Sequence, residues 1–334
     1  RCSQTGWMVP LLPTRVISDG YRVIAELVPD PVNRRYEIQI RTGVSKTELE
    51  AAEIGTVGRE SKYGEAYLFH HVNGVDYKTK ITTLRGDYTK PDGTIGNRLR
   101  MWEKLDFMPR PDDLLQERLY CIQWSRPKTR GKRMEYEFRA VTEDDLARER
   151  IVQDYLESHL ADWQSKGWVP DMRIEVGGPP RYQGLDLIRA RGWTYWHHLF
   201  APRQLLVAAT LRKNIDARSA SSFTQSLNVN ARLSRWNSNP GPGRAGKTQG
   251  VFDNQALNTI YNFACRSMDW SAETFDVEAK SYPFAASVQA VVRNHAADAR
   301  ADMNDIYVTD PPYGDAVKYE EILDFFIAWL RKNP

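Results

Sequence analysis

Two consecutive prolines near the C-terminal end limit the folds open to this chain more than any other feature. They sit in Asp310-Pro311-Pro312-Tyr313, between an apolar run at 306–309 (Ile-Tyr-Val-Thr) and an amphipathic stretch at 317–330. Proline fixes φ and has no N–H to donate, so the tetrapeptide suits neither a helix interior nor an inner strand. The pattern predicts a short strand over 306–309, a tight loop, and a helix over 317–330. In an open α/β sheet, the loop leaving the carboxyl end of a strand is where ligands are held. A carboxylate and an aromatic ring at that place make Asp310 and Tyr313 the first candidate site residues, on a loop stiffened by Pro311 and Pro312.

With 334 residues, 41% of them hydrophobic, the chain can bury one large core or two modest ones. Charged residues make up 27% and the net charge is +3, a mildly basic balance unlike that of a polybasic tail. A nucleic-acid partner would therefore need a local basic patch. The three cysteines, Cys2, Cys121 and Cys265, are far apart and odd in number, which suits a reducing compartment. No apolar run reaches the length of a membrane span, and no signal peptide is expected. The expectation is a cytoplasmic protein with no membrane partner. The chain begins with Arg1 and stops just after the 317–330 stretch, a helix that a doubly wound sheet would cover with further strands. It is therefore expected to be an internal segment of a longer polypeptide.

Residues 1–140 read as mostly β. Alternating stretches at 15–28 and 34–41 flank a turn at 29–31, and stretches at 66–72 and 75–81 flank Asn73-Gly74, a strong hairpin signal. A third pair, 117–124 and 135–141, is joined by a segment carrying Arg126, Lys128, Arg130, Lys132 and Arg133 and no acid. Such a tip is a solvated loop or a phosphate-contacting finger, and Lys128, Arg130, Lys132 and Arg133 are the candidate DNA-binding residues. Thr142-Glu143-Asp144-Asp145 is a capping box that opens a helix to about residue 166. The Gly-Gly-Pro-Pro run at 177–180 predicts a loop. Beyond it, 193–200 packs aromatics around His197 and His198, a pair better suited to a core than to one metal. Pro202 starts a helix expected to run towards 228, another is expected over 253–266, and 287–292 is a candidate strand.

Two patterns are weighed as decoys. Residues 241–248 satisfy G-x-x-x-x-G-K-[ST] to the letter. A phosphate-gripping loop must leave a buried strand and enter a helix directly, and neither the polar residues before it nor Gln249-Gly250 after it allow that. A flexible Gly/Pro-rich loop is the better reading. Zinc is also not expected, because Thr5 stands where a C-x-x-C knuckle would put the partner of Cys2, and His70-His71 has no supporting spacing.

The chemistry open to the 310–313 loop is specific. An adenine amino nitrogen is a poor nucleophile because its lone pair is delocalised into the ring. Acceptors for both of its N–H groups favour a pyramidal nitrogen with that pair available. The Asp310 carboxylate and the Pro311 carbonyl can be those acceptors. Tyr313 offers a flat face to a base swung out of a duplex. A sulfonium methyl donor would then need only to be held in line.

On these residues the chain resembles the large prokaryotic adenine-specific DNA methylases that carry an N-terminal domain of unknown function and often accompany phage-defence genes. The resemblance rests on Val308 to Tyr313 with the following Phe325-Phe326-Ile327-Ala328-Trp329-Leu330-Arg331. It extends over nearly the whole chain, through Arg110-Pro111-Asp112-Asp113, Arg191-Gly192-Trp193, Pro202-Arg203-Gln204-Leu205-Leu206, Leu233-Ser234-Arg235-Trp236-Asn237 and Phe252 to Asn258. It implies S-adenosylmethionine as cofactor, DNA as partner, Asp310, Pro311, Pro312 and Tyr313 as catalytic residues, and a Rossmann-like methyltransferase core. The family's F-x-G-x-G cofactor loop is absent from these residues and lies upstream in relatives, so the cofactor-binding residues are unknown. The paired-cysteine knuckles of many relatives are also missing.

The resulting expectation is an α/β (overall α+β) chain. It has a β-rich insertion at 1–140, a helical connector at 141–200 and part of a Class I methyltransferase core at 201–334. Its expected activity is N6-methylation of adenine in DNA, in restriction-modification or phage defence. A cytosine-N4 or RNA amino group is the alternative target, and a non-catalytic DNA-binding subunit the alternative role.

Overall fold

A computed structural model describes residues 1–61, 64–127, 134–174, 184–253, 257, 260–276, 306–309 and 319–332. The expected loop at 177–180 and strand at 287–292 lie outside the described residues. Helices and strands are mixed, and every strand-to-strand pairing among the described residues is antiparallel, in small sheets.

The N-terminal part is built from hairpins. Strands β1 (Val16–Ser18), β2 (Val23–Asp30) and β3 (Arg35–Arg41) form one meander. The expected single strand over 15–28 is broken by a turn in which Arg22 takes φ 51°. A short helix, α1 (Lys46–Ala52), follows, opened by a capping box between Ser45 and Glu48. Then β4 (Val57–Arg59), β5 (Ala66–Val72) and β6 (Val75–Lys80) make a second sheet. Asn73 and Gly74 both take positive φ, 52° and 75°, as a tight two-residue hairpin requires. The chain then enters α2 (Ile81–Arg85) and the minimal ribbon β7 (Tyr88–Thr89) and β8 (Ile95–Gly96). Trp7, Tyr36, Leu68 and Val72 lock the first two sheets together.

The third hairpin, β9 (Cys121–Pro127) with β10 (Met134–Ala140), starts later than the pattern suggested. Its base is held by Phe138, Tyr136 and Cys121 against Tyr21, Ala25 and Trp236.

Helix α3 (Glu143–Ser165) matches its expected bounds, with the Thr142–Asp145 capping box formed in both directions. Val152, Leu156, Leu160 and Trp163 form its buried stripe. Burial of a leucine side chain stabilises by roughly 1.5–3 kcal/mol. The stripe packs into the largest core among the described residues, which runs in sequence from Trp102 to Trp329. Helix α4 (Gly184–Arg191) and a 3-10 turn at Trp196–Leu199 complete this side.

Two helical expectations are corrected. The helix begun at Pro202 stops as α5 (Pro202–Asn214), and α6 (Ala220–Asn228) starts afresh after a 3-10 turn. The break falls at Asp216, whose carboxylate accepts hydrogen bonds from the Ser219 N–H and hydroxyl, drawing the chain out of the helical path. The helix expected over 253–266 is not formed at 260–266. There the main-chain groups are taken by other elements: Arg191 donates to the Ile260 carbonyl, Gln204 to that of Ala264, and the Arg266 N–H donates to Asn230. Phe263 bridges to Arg235 as isolated β-structure. Downstream come α7 (Met268–Glu273) and α8 (Tyr319–Leu330). Among the described residues no helix is long and apolar enough to cross a membrane.

Candidate functional site

The four residues Asp310, Pro311, Pro312 and Tyr313 lie outside the described residues, as do Lys128, Arg130, Lys132 and Arg133. Their flanks can be described.

Downstream of the loop, α8 is firmly seated. Phe325, Ala328 and Trp329 are buried. The Phe325 ring stacks on Phe200 at 5.7 Å, and Trp329 meets Phe200 and Phe223 edge-on at 4.9 and 5.8 Å. Arg212 donates to the Trp329 carbonyl, and Arg331 and Lys332 pair with Asp171. The opposite face carries Tyr319, Leu323 and Ile327, all exposed and spaced four residues apart.

Upstream of the loop the expectation fails. Residues 306–309 form no strand, and Ile306, Tyr307 and Val308 are 79, 62 and 91% exposed. A short apolar strand forms only where neighbours pair its main chain and cover its faces. None of the described strands lies beside it.

The strands on either side of residues 128–133 form a regular ribbon. Seven residues on each side pair in register from Cys121–Ala140 to Pro127–Met134. At ~3.4 Å per residue such a ribbon extends roughly 20 Å. Arg126, at its outer end, pairs with Glu135 across the strands, so it is not one of the unopposed cations the sequence suggests. Trp124 is half exposed and lies under Arg139, whose guanidinium carbon is 4.7 Å from the ring centroid.

The phosphate-loop look-alike is a ribbon turn. Residues 238–246 join β11 (Trp236–Asn237) to β12 (Lys247–Thr248), which pair antiparallel, and no helix follows Thr248 directly. The loop is tied down by Trp236, whose indole N–H donates to the Ile17 carbonyl. Gly246 lies so close to that indole that a Cβ would fall 2.1 Å from it. Gly246 thus serves close packing, and no helix N-terminus follows to complete a phosphate cradle. The wild-type protein is expected to show no ATP hydrolysis that Lys247→Ala removes, and a Lys247-dependent turnover would contradict this reading.

His197 and His198 are fully buried and structural. The His198 Nδ1 accepts from the Thr194 and Tyr195 N–H groups at 3.1 and 3.2 Å, so its Nε2 donates to the Glu103 carbonyl at 3.0 Å. His197 Nε2 donates to the Asp106 carbonyl. Burial lowers the His197 pKa from 6.5 to about 4 and that of His198 well below its usual value. A histidine whose folded pKa is depressed stabilises the fold above its unfolded pKa and loses that contribution as pH falls towards the folded one. The urea midpoint is therefore expected to be flat above neutrality and to fall steeply between pH 6.5 and about 4. His197 alone contributes up to ~3 kcal/mol of that loss. A midpoint unchanged across this window would contradict the neutral, buried assignment. His70 is likewise a packing residue, its ring within 3.3 Å of both Tyr36 Oη and Thr5 Oγ1.

The strongest polar assembly was not singled out from the sequence. Arg232 is buried, and its guanidinium holds Glu117 through Nε at 2.5 Å and Nη2 at 2.8 Å. It also donates to the carbonyls of Phe107, His198 and Phe200. Five contacts from one fork join the segment 107–117, the histidine turn and the 230–234 turn. Beside it, Arg100 holds Asp113 bidentately at 2.7 Å and also Asp106. Among the described residues no group of three or more His, Cys, Asp or Glu side chains is placed to hold a metal ion.

No family model, curated protein or solved structure matches this chain.

Proposed function

We propose that the chain is part of an S-adenosylmethionine-dependent DNA methyltransferase acting on the N6 amino group of adenine, in the cytoplasm. The observation that carries this reading is the Asp-Pro-Pro-Tyr sequence at 310–313, directly ahead of the aromatic-anchored helix α8. A base-gripping loop needs firm support, and the helix that follows it in sequence, α8, is seated on Phe200 and Phe223. In this reading Asp310 and the Pro311 carbonyl accept the two amino protons, Pro312 stiffens the loop and Tyr313 stacks on the extruded base.

A Rossmann-like core over 201–334 is part of the proposal, supported by the second apolar stripe of α8, Tyr319, Leu323 and Ile327, which suits a helix lying on a sheet. The β-rich region 1–140 serves DNA recognition, with Lys128, Arg130, Lys132 and Arg133 at the end of the β9–β10 ribbon meeting phosphates. The described residues do not fit the cofactor. They hold no glycine turn from a strand into a helix, and the Gly241–Gly246 loop closes a ribbon. The cofactor grip is proposed to lie in another part of a longer protein, which works with other defence-system subunits.

A second reading, a DNA-binding subunit with a silent loop, is favoured by residues 306–309, which form no strand and are exposed at Ile306, Tyr307 and Val308. Titrating radiolabelled S-adenosylmethionine into the full-length protein separates the two. Saturable uptake supports the methyltransferase, and its absence leaves the binding subunit.

A further inference from the structure

The β11–β12 ribbon and its glycine-rich loop, with no nucleotide to hold, carry cations that the fold leaves unmatched. Residues 217–252 include Arg218, Arg232, Arg235, Arg244 and Lys247 and no acid, in a chain with 43 acidic residues against 46 basic ones. Arg232 is neutralised by Glu117. Arg235, Arg244 and Lys247 are exposed, and among the described residues no carboxylate lies within 4.0 Å of them. Other exposed arginines are matched: Arg35, Arg41, Arg118 and Arg126 each meet a glutamate.

The register of the ribbon turns these cations to one side. Trp236 and Thr248 pair and face inward, while the next pair, Asn237 with Lys247, faces out. One step the other way, the Gln249 N–H donates to the Arg235 carbonyl, which puts Arg235 on the same outward face as Lys247. Gln249 Oε1 accepts from Arg235 Nε at 2.6 Å, fixing the guanidinium without neutralising it. The loop between the strands is clamped from below. The Asp19 N–H donates to the Ser238 carbonyl at 3.0 Å, and a Cβ at Gly20 would fall 2.4 Å from the Arg244 carbonyl. Arg244 thus has a held main chain and a side chain in solvent.

Unmatched cations on a rigid, polar loop complement a polyanion of phosphates. A protein partner would need an apolar or aromatic anchor, and no large apolar side chain is exposed between residues 217 and 252. The surface also adjoins the β9–β10 ribbon, because Trp236 and Ala245 pack with Cys121, Tyr136 and Phe138 at its base.

We propose that the β11–β12 loop is a DNA-contacting surface, in which Arg235, Arg244 and Lys247 meet phosphates of the backbone beside the β9–β10 ribbon. It rests on the reading that DNA is the partner, which the methyltransferase and the binding subunit share, and not on the 310–313 loop.

Fluorescence anisotropy of the full-length protein with a labelled DNA duplex of mixed sequence, repeated from about 50 to 200 mM NaCl, tests it. Arg244→Gln combined with Lys247→Gln is expected to weaken binding at least tenfold at the lower salt. The slope of log K against log salt should fall in magnitude by about 2, a change that follows lost phosphate contacts. Lys247→Gln alone, expected to lower the slope by about 1, covers the case in which the double variant does not fold. Lys46→Gln, the same exchange at an exposed lysine of α1 that pairs with Glu50, is expected to change neither slope nor affinity. A wild-type slope in the folded variants, or an equal loss from Lys46→Gln, would overturn the proposal and leave DNA as the partner. A wild type that binds no duplex at the lower salt would remove the DNA reading, and this surface with it. Tighter binding of an RNA duplex of the same sequence, lost in the double variant, would assign the surface to RNA and overturn the proposal as well.

Discussion

Asp310→Ala in the full-length protein is expected to lower methyl transfer to adenine by at least about a hundredfold, with the fold unchanged. The loss follows from what the carboxylate is proposed to do. It accepts one amino proton while the nitrogen rehybridises, an interaction that strengthens towards the transition state, so the effect falls on kcat more than on KM. Asp310→Asn keeps an acceptor oxygen without the charge and is expected to fall between. Tyr313→Ala removes the stacking face, with KM for DNA rising, and Tyr313→Trp is expected to restore it. Radiolabelled methyl incorporation under saturating cofactor distinguishes these patterns. Wild-type transfer by Asp310→Ala would remove the residue from the chemistry.

The second large effect is on stability. Arg232→Ala is expected to destabilise the chain by roughly 3–5 kcal/mol, because it strands the Glu117 carboxylate and three main-chain carbonyls together. The carbonyls of Phe107, His198 and Phe200 are all inside or at the edge of the large core. Arg232→Lys is expected to recover little, since an ammonium offers one point charge where the fork reaches five acceptor atoms. The urea midpoint of Arg232→Lys should therefore lie close to that of Arg232→Ala. Loss of less than about 1 kcal/mol in Arg232→Ala would mean that the assembly is not a structural keystone.

The fold was legible where one local signal decided it. The Thr142–Asp145 box and the stripe Val152, Leu156, Leu160 and Trp163 define α3, and Asn73-Gly74 defines the β5–β6 hairpin. The Ser45–Glu48 box of α1 is an equally plain local signal that the pattern of alternating residues hid. Prediction failed where distant groups compete for the main chain. Residues 260–266 have helical spacing, yet Arg191, Gln204 and Asn230 claim their carbonyls and an N–H from elsewhere in the chain. Residues 306–309 have strand composition but lack a strand beside them among the described residues. The Arg232–Glu117 fork was not legible because its residues lie 115 positions apart and meet only in the folded chain.

The most direct test of the account is the nucleoside composition of DNA treated with the full-length protein and S-adenosylmethionine, measured by mass spectrometry. The account predicts N6-methyladenine in DNA treated with the wild type and none with Asp310→Ala. N4-methylcytosine in its place, or unmodified DNA from a wild-type protein that takes up the cofactor, would contradict it.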